Sequence, residues 1–303
     1  MPIDNQISVR APSSPVGGPV ADEVWTTGGR IDGQSQALLL VHGYNNSYDD
    51  AETAYAAFEH NVRRAGTTGQ AARPVFGFFW PGDTRLKVIS TISYPAQLGP
   101  AKQSAERLFN YLRSKTGPNG GPLDICLVGH SLGCRVVLEL IKRLVAVRGR
   151  TAVTIGKVVL MAAAVPVSKV ENPGALGGAA AAAATSLVLF SEEDQVLRFA
   201  FPIGETFAFD AFWPTAVGRH GQPDGGLWSA RLPMVQAAGA RGYGHSDYWG
   251  GAESAAATAA MLGLPVSVPP GINARAEHEL APARTLPSAS LSTWALPASP
   301  SFA

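Results

Sequence analysis

The sequence predicts an α/β fold with a doubly wound, mostly parallel sheet flanked by helices and an irregular lid-like insertion. Short continuous apolar runs alternate with longer segments in which apolar residues recur every three or four positions. Such runs are typical of strands buried on both faces of a parallel sheet, and the longer segments are typical of amphipathic helices. Of the 303 residues, 46% are hydrophobic and 16% charged, as expected for a globular domain.

The first strands and helices alternate regularly. Residues 37–41 (ALLLV) and 74–80 (PVFGFFW) are apolar runs that end at glycine or proline and predict buried strands. Between them, residues 49–64 place apolar side chains on one helical face, with acids early and arginines late, which suits the helix dipole. Residues 101–115 predict a second helix, which the breakers TGPNGGP close.

The same alternation continues with a strand at 123–128 and a helix at 132–147. Two further strands are predicted at 156–166 and 186–191, and residues 1–35 have room for one or two edge strands. Strands that alternate with helices of this length indicate a parallel sheet with right-handed crossovers.

The pattern changes after the fifth predicted strand. Residues 198–243 are rich in aromatic residues, glycine and proline with little periodicity, and loops of this length are often lids or binding loops. A closing helix is predicted at 250–264. Residues 266–303, mostly proline, alanine and serine, predict a disordered or surface-lying tail. We therefore expect a single domain over residues 1–265.

Composition argues against several classes of function. The net charge is +1 and no Lys/Arg run occurs, so nothing indicates binding to nucleic acid or to an anionic membrane surface. No apolar stretch is long enough for a membrane span, and the first residues lack the apolar core of a signal peptide. Cys126 and Cys134, without partners at metal spacing, are expected to be small buried hydrophobic residues. We expect a cytoplasmic protein without a metal or organic cofactor; the oligomeric state is left open.

The stretch Gly-His-Ser-Leu-Gly (129–133) places Ser131 between a predicted strand and a predicted helix. With 33 glycines in the chain, the bare motif arises easily by chance, and a structural turn is the alternative. A sharp strand-to-helix turn exposes the serine hydroxyl and directs the positive end of the helix toward it. The flanking elements therefore favour Ser131 as a nucleophile.

An acid and a histidine that would complete a triad follow in the order Ser, Asp, His that this architecture requires. Glu192, Glu193 and Asp194 come directly after the fifth predicted strand, and Asp194, which precedes apolar residues, is favoured over a solvated acidic turn. His245 lies in the glycine-flanked loop GYGHSDYW before the last helix, and of the six histidines it is the best candidate for the base. A lone loop histidine is otherwise usually only solvated.

Two further groups of residues predict how a substrate is held. The Tyr44 N–H, after His42-Gly43, is expected to form an oxyanion hole with the Leu132 N–H; the following Asn-Asn-Ser also has the composition of a helix cap. The aromatic residues of the insertion predict an apolar lid over the site, or else a loop packed on its own domain. They are Phe199, Phe201, Phe207, Phe209, Phe212, Trp213 and Trp228, of which Phe201, Phe212 and Trp213 are the candidates for substrate binding.

These stretches resemble the α/β-hydrolase superfamily, and more narrowly a bacterial branch labelled the domain of unknown function 900 family. The matching segments are LLLVHGYNNSYDDAE, PVFGFFWPGD, YPAQLGPAKQSAERLFNYL, LVGHSLGCRVVLE and LVLFSEEDQVL, spread over residues 36–250. The resemblance implies Ser131, Asp194 and His245 as a triad, with Tyr44 and Leu132 as oxyanion donors. The chain departs from the family's pattern at 198–243 and after 265, the parts that would shape a substrate pocket.

The leading hypothesis is a serine hydrolase, specifically a carboxylesterase that cleaves small-molecule esters through an acyl-enzyme. The same triad would also serve a lipase, a thioesterase or a peptidase. A non-catalytic binding protein with this fold is the third hypothesis, because fold does not determine function. The complete set of candidate residues argues against that last alternative.

Overall fold

A computed structural model describes eight segments of the chain, and all of them fall within one compact unit that spans Met1–Pro270. The described residues are 3–10, 18–66, 73–83, 95–171, 174–182, 185–220, 234–235 and 243–264. The predicted tail at 266–303 and the aromatic residue Trp228 lie outside them.

One eight-stranded sheet organises the described residues. Its strands in chain order are β1 (Asn5–Arg10), β2 (Val20–Thr27), β3 (Gln36–Val41), β4 (Val75–Phe79), β5 (Leu123–His130), β6 (Val153–Met161), β7 (Thr185–Leu189) and β8 (Met234–Val235). Their spatial order is β2-β1-β4-β3-β5-β6-β7-β8. β1 and β2 pair antiparallel, and every other neighbouring pair is parallel. The five predicted strands are present, and the N-terminal residues supply two more, of which β2 is at the edge and β1 lies between β2 and β4.

Helices flank this sheet in two groups. They are α1 (Tyr48–Ala65), α2 (Pro95–Leu112), α3 (Gly133–Ala146), α4 (Val167–Val170), α5 (Gly177–Ala182), α6 (Phe201–Phe207), α7 (Val217–His220) and α8 (Ala252–Met261). α1 packs against α8, whereas α3 packs against α2 and α5. The doubly wound, mostly parallel α/β architecture expected from the sequence is therefore the architecture of the molecule.

Helix α1 illustrates how local sequence determines an element. Ser47 caps its N-terminus, because the Ser47 side chain accepts a hydrogen bond from the Asp50 N–H and the Asp50 carboxylate accepts one from the Ser47 N–H. The predicted apolar face is buried against the sheet and includes Tyr55 and Phe58, each 0% exposed. Burying each of these rings contributes roughly 1.5–3 kcal/mol.

Three elements differ from the sequence prediction, and the first is β6, predicted at 156–166 and observed at Val153–Met161. α2 begins at Pro95, six residues before the predicted start, and it includes Pro100 within the helix. Proline is normally confined to the first helical turn, which is why the prediction began after it. The segment after β7 is not irregular throughout: a π-helical turn (Val196–Ala200) leads directly into α6. Leu197, Phe201 and Gly204 are buried there at three- and four-residue spacing, a helical pattern that the prediction of an irregular insertion missed.

Candidate active site

Ser131 lies at the junction of β5 and α3 in a left-handed backbone conformation, with φ of 52°. This conformation is uncommon for a residue other than glycine and persists only where its surroundings impose it. The Ser131 N–H donates to the carbonyl of Met161 over 2.9 Å, and the Ser131 carbonyl accepts from the N–H of Cys134 over 3.0 Å. The end of β6 and the first turn of α3 thus hold the serine at a fixed position on the carboxyl edge of the sheet.

Two glycines allow the backbone to approach this turn. A Cβ at Gly133 would lie 2.3 Å from the carbonyl oxygen of His42, a distance that no side chain tolerates. A Cβ at Gly43 would lie 2.8 Å from the Cβ of Ser131. The second glycine of the Gly-His-Ser-Leu-Gly motif therefore lets α3 start against the end of β3, and Gly43 lets the loop after β3 pass beside the serine.

Ser131, His245 and Asp194, which are far apart in sequence, form a continuous chain of hydrogen bonds. The Ser131 Oγ lies 2.7 Å from the His245 Nε2, and the His245 Nδ1 lies 2.7 Å from the Asp194 Oδ2. The Asp194 carboxylate is completely buried, whereas the His245 side chain is 15% exposed. An imidazole held in this way can accept the hydroxyl proton while the carboxylate stabilises the imidazolium that forms.

The structure distinguishes among the three acids that the sequence left open. Glu192 and Glu193 are exposed, and Asp194 alone of the three contacts His245. The second carboxylate oxygen of Asp194 accepts a hydrogen bond from the Leu197 N–H over 2.9 Å. The first turn of the helical segment after β7 therefore fixes the orientation of this carboxylate.

His130, the residue before Ser131, holds the loop that carries His245. Its Nε2–H donates to the backbone carbonyl of His245 over 2.7 Å. Burial, followed by the nearby imidazole of His245, lowers the pKa of His130 to about 3, so the ring is neutral at physiological pH. Trp249 also anchors this part of the chain, because its ring packs edge-on against Tyr55 and Phe58 of α1.

The loop after β3, which carries the predicted oxyanion donor Tyr44, is held by buried aromatic side chains. The His42 N–H donates to the Tyr55 hydroxyl over 2.6 Å, and that hydroxyl donates to the Phe78 carbonyl. The Trp80 indole N–H donates to the His42 carbonyl over 2.8 Å, and the two rings stack at 5.6 Å between centroids. Donors that stabilise a developing negative charge need a fixed backbone, and these contacts hold the loop at His42.

Tyr44 and Leu132, the residues predicted to supply the oxyanion donors, both belong to segments that adjoin Ser131. Tyr44 follows Gly43, which is in close contact with Ser131. Leu132 is the N-cap residue of α3, in the first turn, where N–H groups lack an acceptor within the helix. Their role as oxyanion donors stays a prediction, which this placement supports.

A buried ion pair that the sequence did not indicate supports the same loop from β1. The Arg10 guanidinium donates to the Asp83 carboxylate over 2.8 Å, and both side chains are 4% exposed. Arg10 also donates to the carbonyls of Trp80 and Asn46, at 3.2 and 3.4 Å. Nothing in the local pattern ISVR distinguishes this arginine from a surface residue at a strand end, because Asn46 and Asp83, which its guanidinium contacts, lie 36 and 73 positions away.

The candidate substrate-binding aromatics occupy different environments. Phe201 is buried at 2% exposure, whereas Phe212 and Trp213 are 88% and 63% exposed. Contact of these residues with a substrate therefore stays a prediction. A groove of about 1000 Å³ lies elsewhere, along the outer face of α1, with Glu52, His60 and Gly250 among its lining residues and none of Ser131, Asp194 or His245.

Metal-binding clusters and membrane-spanning helices are both absent from the described residues. No group of three or more His, Cys, Asp or Glu side chains there is arranged to hold a metal ion. Within the same part of the chain, no helix has both the length and the apolar character needed to cross a membrane. Cys126 and Cys134 are both buried as free thiols, as expected.

The two buried histidines next to the site predict acid destabilisation. Burial lowers the pKa of His42 to about 4 and that of His130 to about 3, against 6.5 in an unfolded chain. Below pH 6.5 the unfolded state therefore binds more protons, and the free energy of unfolding falls as pH decreases toward 4. Each histidine contributes a slope of about 1.4 kcal/mol per pH unit in that window and nothing above it.

Urea unfolding of wild type and His130→Gln between pH 7.5 and 5 measures this slope. Because glutamine keeps an N–H donor and does not titrate, the variant is expected to lose about half of the slope. Each variant is compared with itself at the higher pH, so a constant loss of stability cancels. The exposed His60→Gln is the matched control and is expected to keep the wild-type slope. An unchanged slope in His130→Gln would contradict the prediction.

Comparison with known proteins places the chain in a family. The family described as "Alpha/beta hydrolase of unknown function (DUF900)" matches residues 27–205. No curated protein is similar enough to count as a relative. Among solved structures, the chain is similar to a lipase-esterase related protein from Clostridium acetobutylicum ATCC 824, at 13% identity and a TM-score of 0.24 over 46% of each chain.

A second similar structure is that of the Tle1 effector bound to the VgrG spike from the Type 6 secretion system. The identity is 10% and the TM-score 0.36, over 75% of this chain and 53% of that one. The chain thus spans about half the length of these two solved structures. The family model covers more than half of the chain, from the end of β2 to α6. The chain belongs to the DUF900 family of alpha/beta hydrolases.

Proposed function

We propose that this α/β hydrolase is a serine hydrolase, and specifically a carboxylesterase that acts on small-molecule esters. The observation that carries the proposal is the hydrogen-bonded chain from Ser131 through His245 to Asp194, with both bonds at 2.7 Å. A serine hydroxyl is a weak nucleophile at neutral pH, and it becomes effective when a positioned base takes its proton.

The reaction proceeds in two steps. The Ser131 Oγ attacks the ester carbonyl carbon while its proton passes to the His245 Nε2, and Asp194 stabilises the imidazolium. The carbonyl oxygen becomes an oxyanion, which the N–H groups of Leu132 and Tyr44 bind. The imidazolium then gives its proton to the leaving alcohol. Water, activated by the same imidazole, attacks the acyl-enzyme and releases the acid and free Ser131.

Labelling with a fluorophosphonate probe tests this proposal. The probe forms a covalent bond with an activated serine, so the wild type is expected to be labelled at one site and Ser131→Ala is not. Ser114→Ala, which removes an exposed serine at the end of α2, is the matched control and is expected to be labelled like the wild type. Equal labelling of Ser131→Ala, or absence of labelling in all three proteins, would contradict the proposal.

A substrate panel separates the esterase from its alternatives. Wild type and Ser131→Ala are assayed with p-nitrophenyl esters of increasing chain length, with the matching thioesters and with peptide substrates. A carboxylesterase is expected to turn over the esters fastest, and only in the protein that has Ser131. Faster turnover of thioesters or peptides that also depends on Ser131 would retain Ser131 as the nucleophile, but the proposed substrate class would then be wrong.

A further inference from the structure

The exposed apolar side chains of the described residues are concentrated in one short segment. Six large hydrophobic side chains are exposed among the described residues. One of them, Val145, lies apart from the others on α3. The other five are aromatic, and we call them the aromatic patch: Phe199, Phe207, Phe209, Phe212 and Trp213. Scattered exposed hydrophobic residues need no explanation, but a cluster of this kind indicates an interaction surface.

Two rings of this patch are almost completely exposed to solvent. Phe209 is 96% exposed and Phe212 is 88% exposed. Phe209 and Trp213 have left-handed backbones, with φ of 53° and 41°, which is a strained conformation for an aromatic residue. The chain is therefore held in an unfavourable conformation at two of the positions where it presents an aromatic ring.

The base of the segment is fixed to the domain. The Asp210 carboxylate accepts a hydrogen bond from Arg135 of α3 over 2.9 Å, and the Arg135 side chain is 3% exposed. The Trp213 N–H donates to the Thr206 Oγ1 over 2.8 Å. The first contact ties the segment to α3 beside Phe209, and the second joins the end of the segment back to α6.

Positive charge lies beside Asp210, an acidic residue within the patch segment. The carboxylates of Glu139 and Asp210 form one ion-pair network with four cationic side chains, namely Lys102, Arg135, Arg143 and Lys169. Four positive charges against two negative charges leave an excess of two positive charges. Arg198 lies over the Phe199 ring at 5.0 Å, and it is the one exposed charged residue of the segment 196–213. The sequence showed no basic run because these cations are far apart along the chain.

We propose that the aromatic patch docks on the surface of an anionic phospholipid bilayer. Phenylalanine and tryptophan rings partition into the interfacial region of a bilayer, and lysine and arginine at its edge bind the anionic head groups. Rings that project almost completely into solvent suit penetration of a soft interface, whereas aromatic anchors of protein interfaces fill closely packed pockets.

The patch is connected to the candidate active site. The Asp194 carbonyl accepts a hydrogen bond from the Arg198 N–H over 3.0 Å, so the segment starts one turn after the triad acid. Docking would bring the site close to the lipid surface. Binding to the bilayer does not depend on the proposed ester hydrolysis. If the protein both binds the bilayer and hydrolyses esters, its substrate is an ester that resides in the lipid phase.

Vesicle flotation of the full chain with Ser131→Ala tests docking without any turnover of lipid. The protein is expected to float with phosphatidylcholine vesicles that contain phosphatidylglycerol, and less with phosphatidylcholine alone. In the same background, Phe209→Gln with Phe212→Gln is expected to weaken binding by about a hundredfold, since two apolar side chains no longer enter the interface. Arg198→Gln is expected to weaken binding to the anionic vesicles by about fivefold. Val145→Gln is the matched control and is expected to bind as its parent does.

Three outcomes would overturn the proposal. One is that the protein does not float with anionic vesicles, and another is that the Phe209/Phe212 double variant floats as well as its parent. The third is that the patch mediates self-association, seen as a dimer that the double variant loses, without any binding to vesicles. Near-ultraviolet circular dichroism of each variant verifies the fold, and because the replaced rings are exposed, no change in stability is expected.

Discussion

Replacing Ser131 with alanine is expected to lower kcat for p-nitrophenyl butyrate by about a millionfold, and His245→Ala is expected to cost about the same. The reason is geometric. The Ser131 Oγ and the His245 Nε2 are joined by one hydrogen bond of 2.7 Å, so each side chain depends on the other for the transfer of one proton. The KM is expected to change little, because neither side chain supplies binding energy away from the reacting carbonyl.

The double variant Ser131→Ala with His245→Ala provides the sharper test. Two residues that act as a unit are non-additive, so the double variant is expected to be no slower than either single variant. What remains in all three proteins is the contribution of substrate binding and of the oxyanion donors.

Single-turnover kinetics of the four proteins measures these losses, with His60→Ala as the control for replacement of a histidine. His60 is exposed on α1, and its variant is expected to keep the wild-type rate. Losses that multiply in the double variant would mean that Ser131 and His245 act in separate steps, and the proton transfer between them would then be wrong.

The central part of the fold was predictable because its sequence signals are local. The buried parallel strands contain short apolar runs, as in ALLLV of β3 and VFGFF of β4, and the long helix α1 has its own amphipathic face and end signals. The antiparallel edge strand β2 gave only the expectation that residues 1–35 hold one or two strands. Its sequence, VADEVWTT, is half exposed and lacks the continuous apolar run from which a buried strand is recognised.

The residues of the candidate site were predictable from their positions along the chain, whereas the contacts that hold them in place were not. Ser131, Asp194 and His245 each follow or precede a predicted element at the carboxyl edge of a parallel sheet, where ligands bind in folds of this kind. By contrast, Arg10 contacts Asp83 across 73 positions, and the His130 ring contacts the His245 backbone across 115. Pairings over such distances depend on the finished packing, and no local pattern specifies them.

The insertion shows a different limit. Its aromatic residues were predicted to cover the site or to pack on the domain, and the described part does the second only for Phe201. Hydrophobicity alone does not tell a buried ring from one that a strained backbone holds in solvent. Asp210, which lies between the exposed Phe209 and Phe212, pairs with Arg135, and this partner is 75 positions away on α3.

Asp194→Asn is expected to lower kcat by about ten-thousandfold, with Ser131 and His245 still in place. The structure gives a specific reason. One carboxylate oxygen of Asp194 accepts from the Leu197 N–H, so an asparagine would keep its carbonyl oxygen there and direct its NH₂ group at the His245 Nδ1. Nδ1 would then become an acceptor and the ring proton would move to Nε2. A ring with that proton donates to Ser131 and no longer accepts from it.

This reasoning predicts a spectroscopic change as well as a kinetic one. Nitrogen-15 NMR of the histidine rings is expected to show His245 protonated at Nδ1 in the wild type and at Nε2 in Asp194→Asn. Glu192→Gln and Glu193→Gln are matched controls, because both side chains are exposed and carry the same charge. Each is expected to keep kcat within about twofold of the wild type. A large loss in either control, or an Asp194→Asn variant that keeps both its rate and its tautomer, would mean that another acid orients His245. In that case the buried contact between Asp194 and His245 would have no catalytic role.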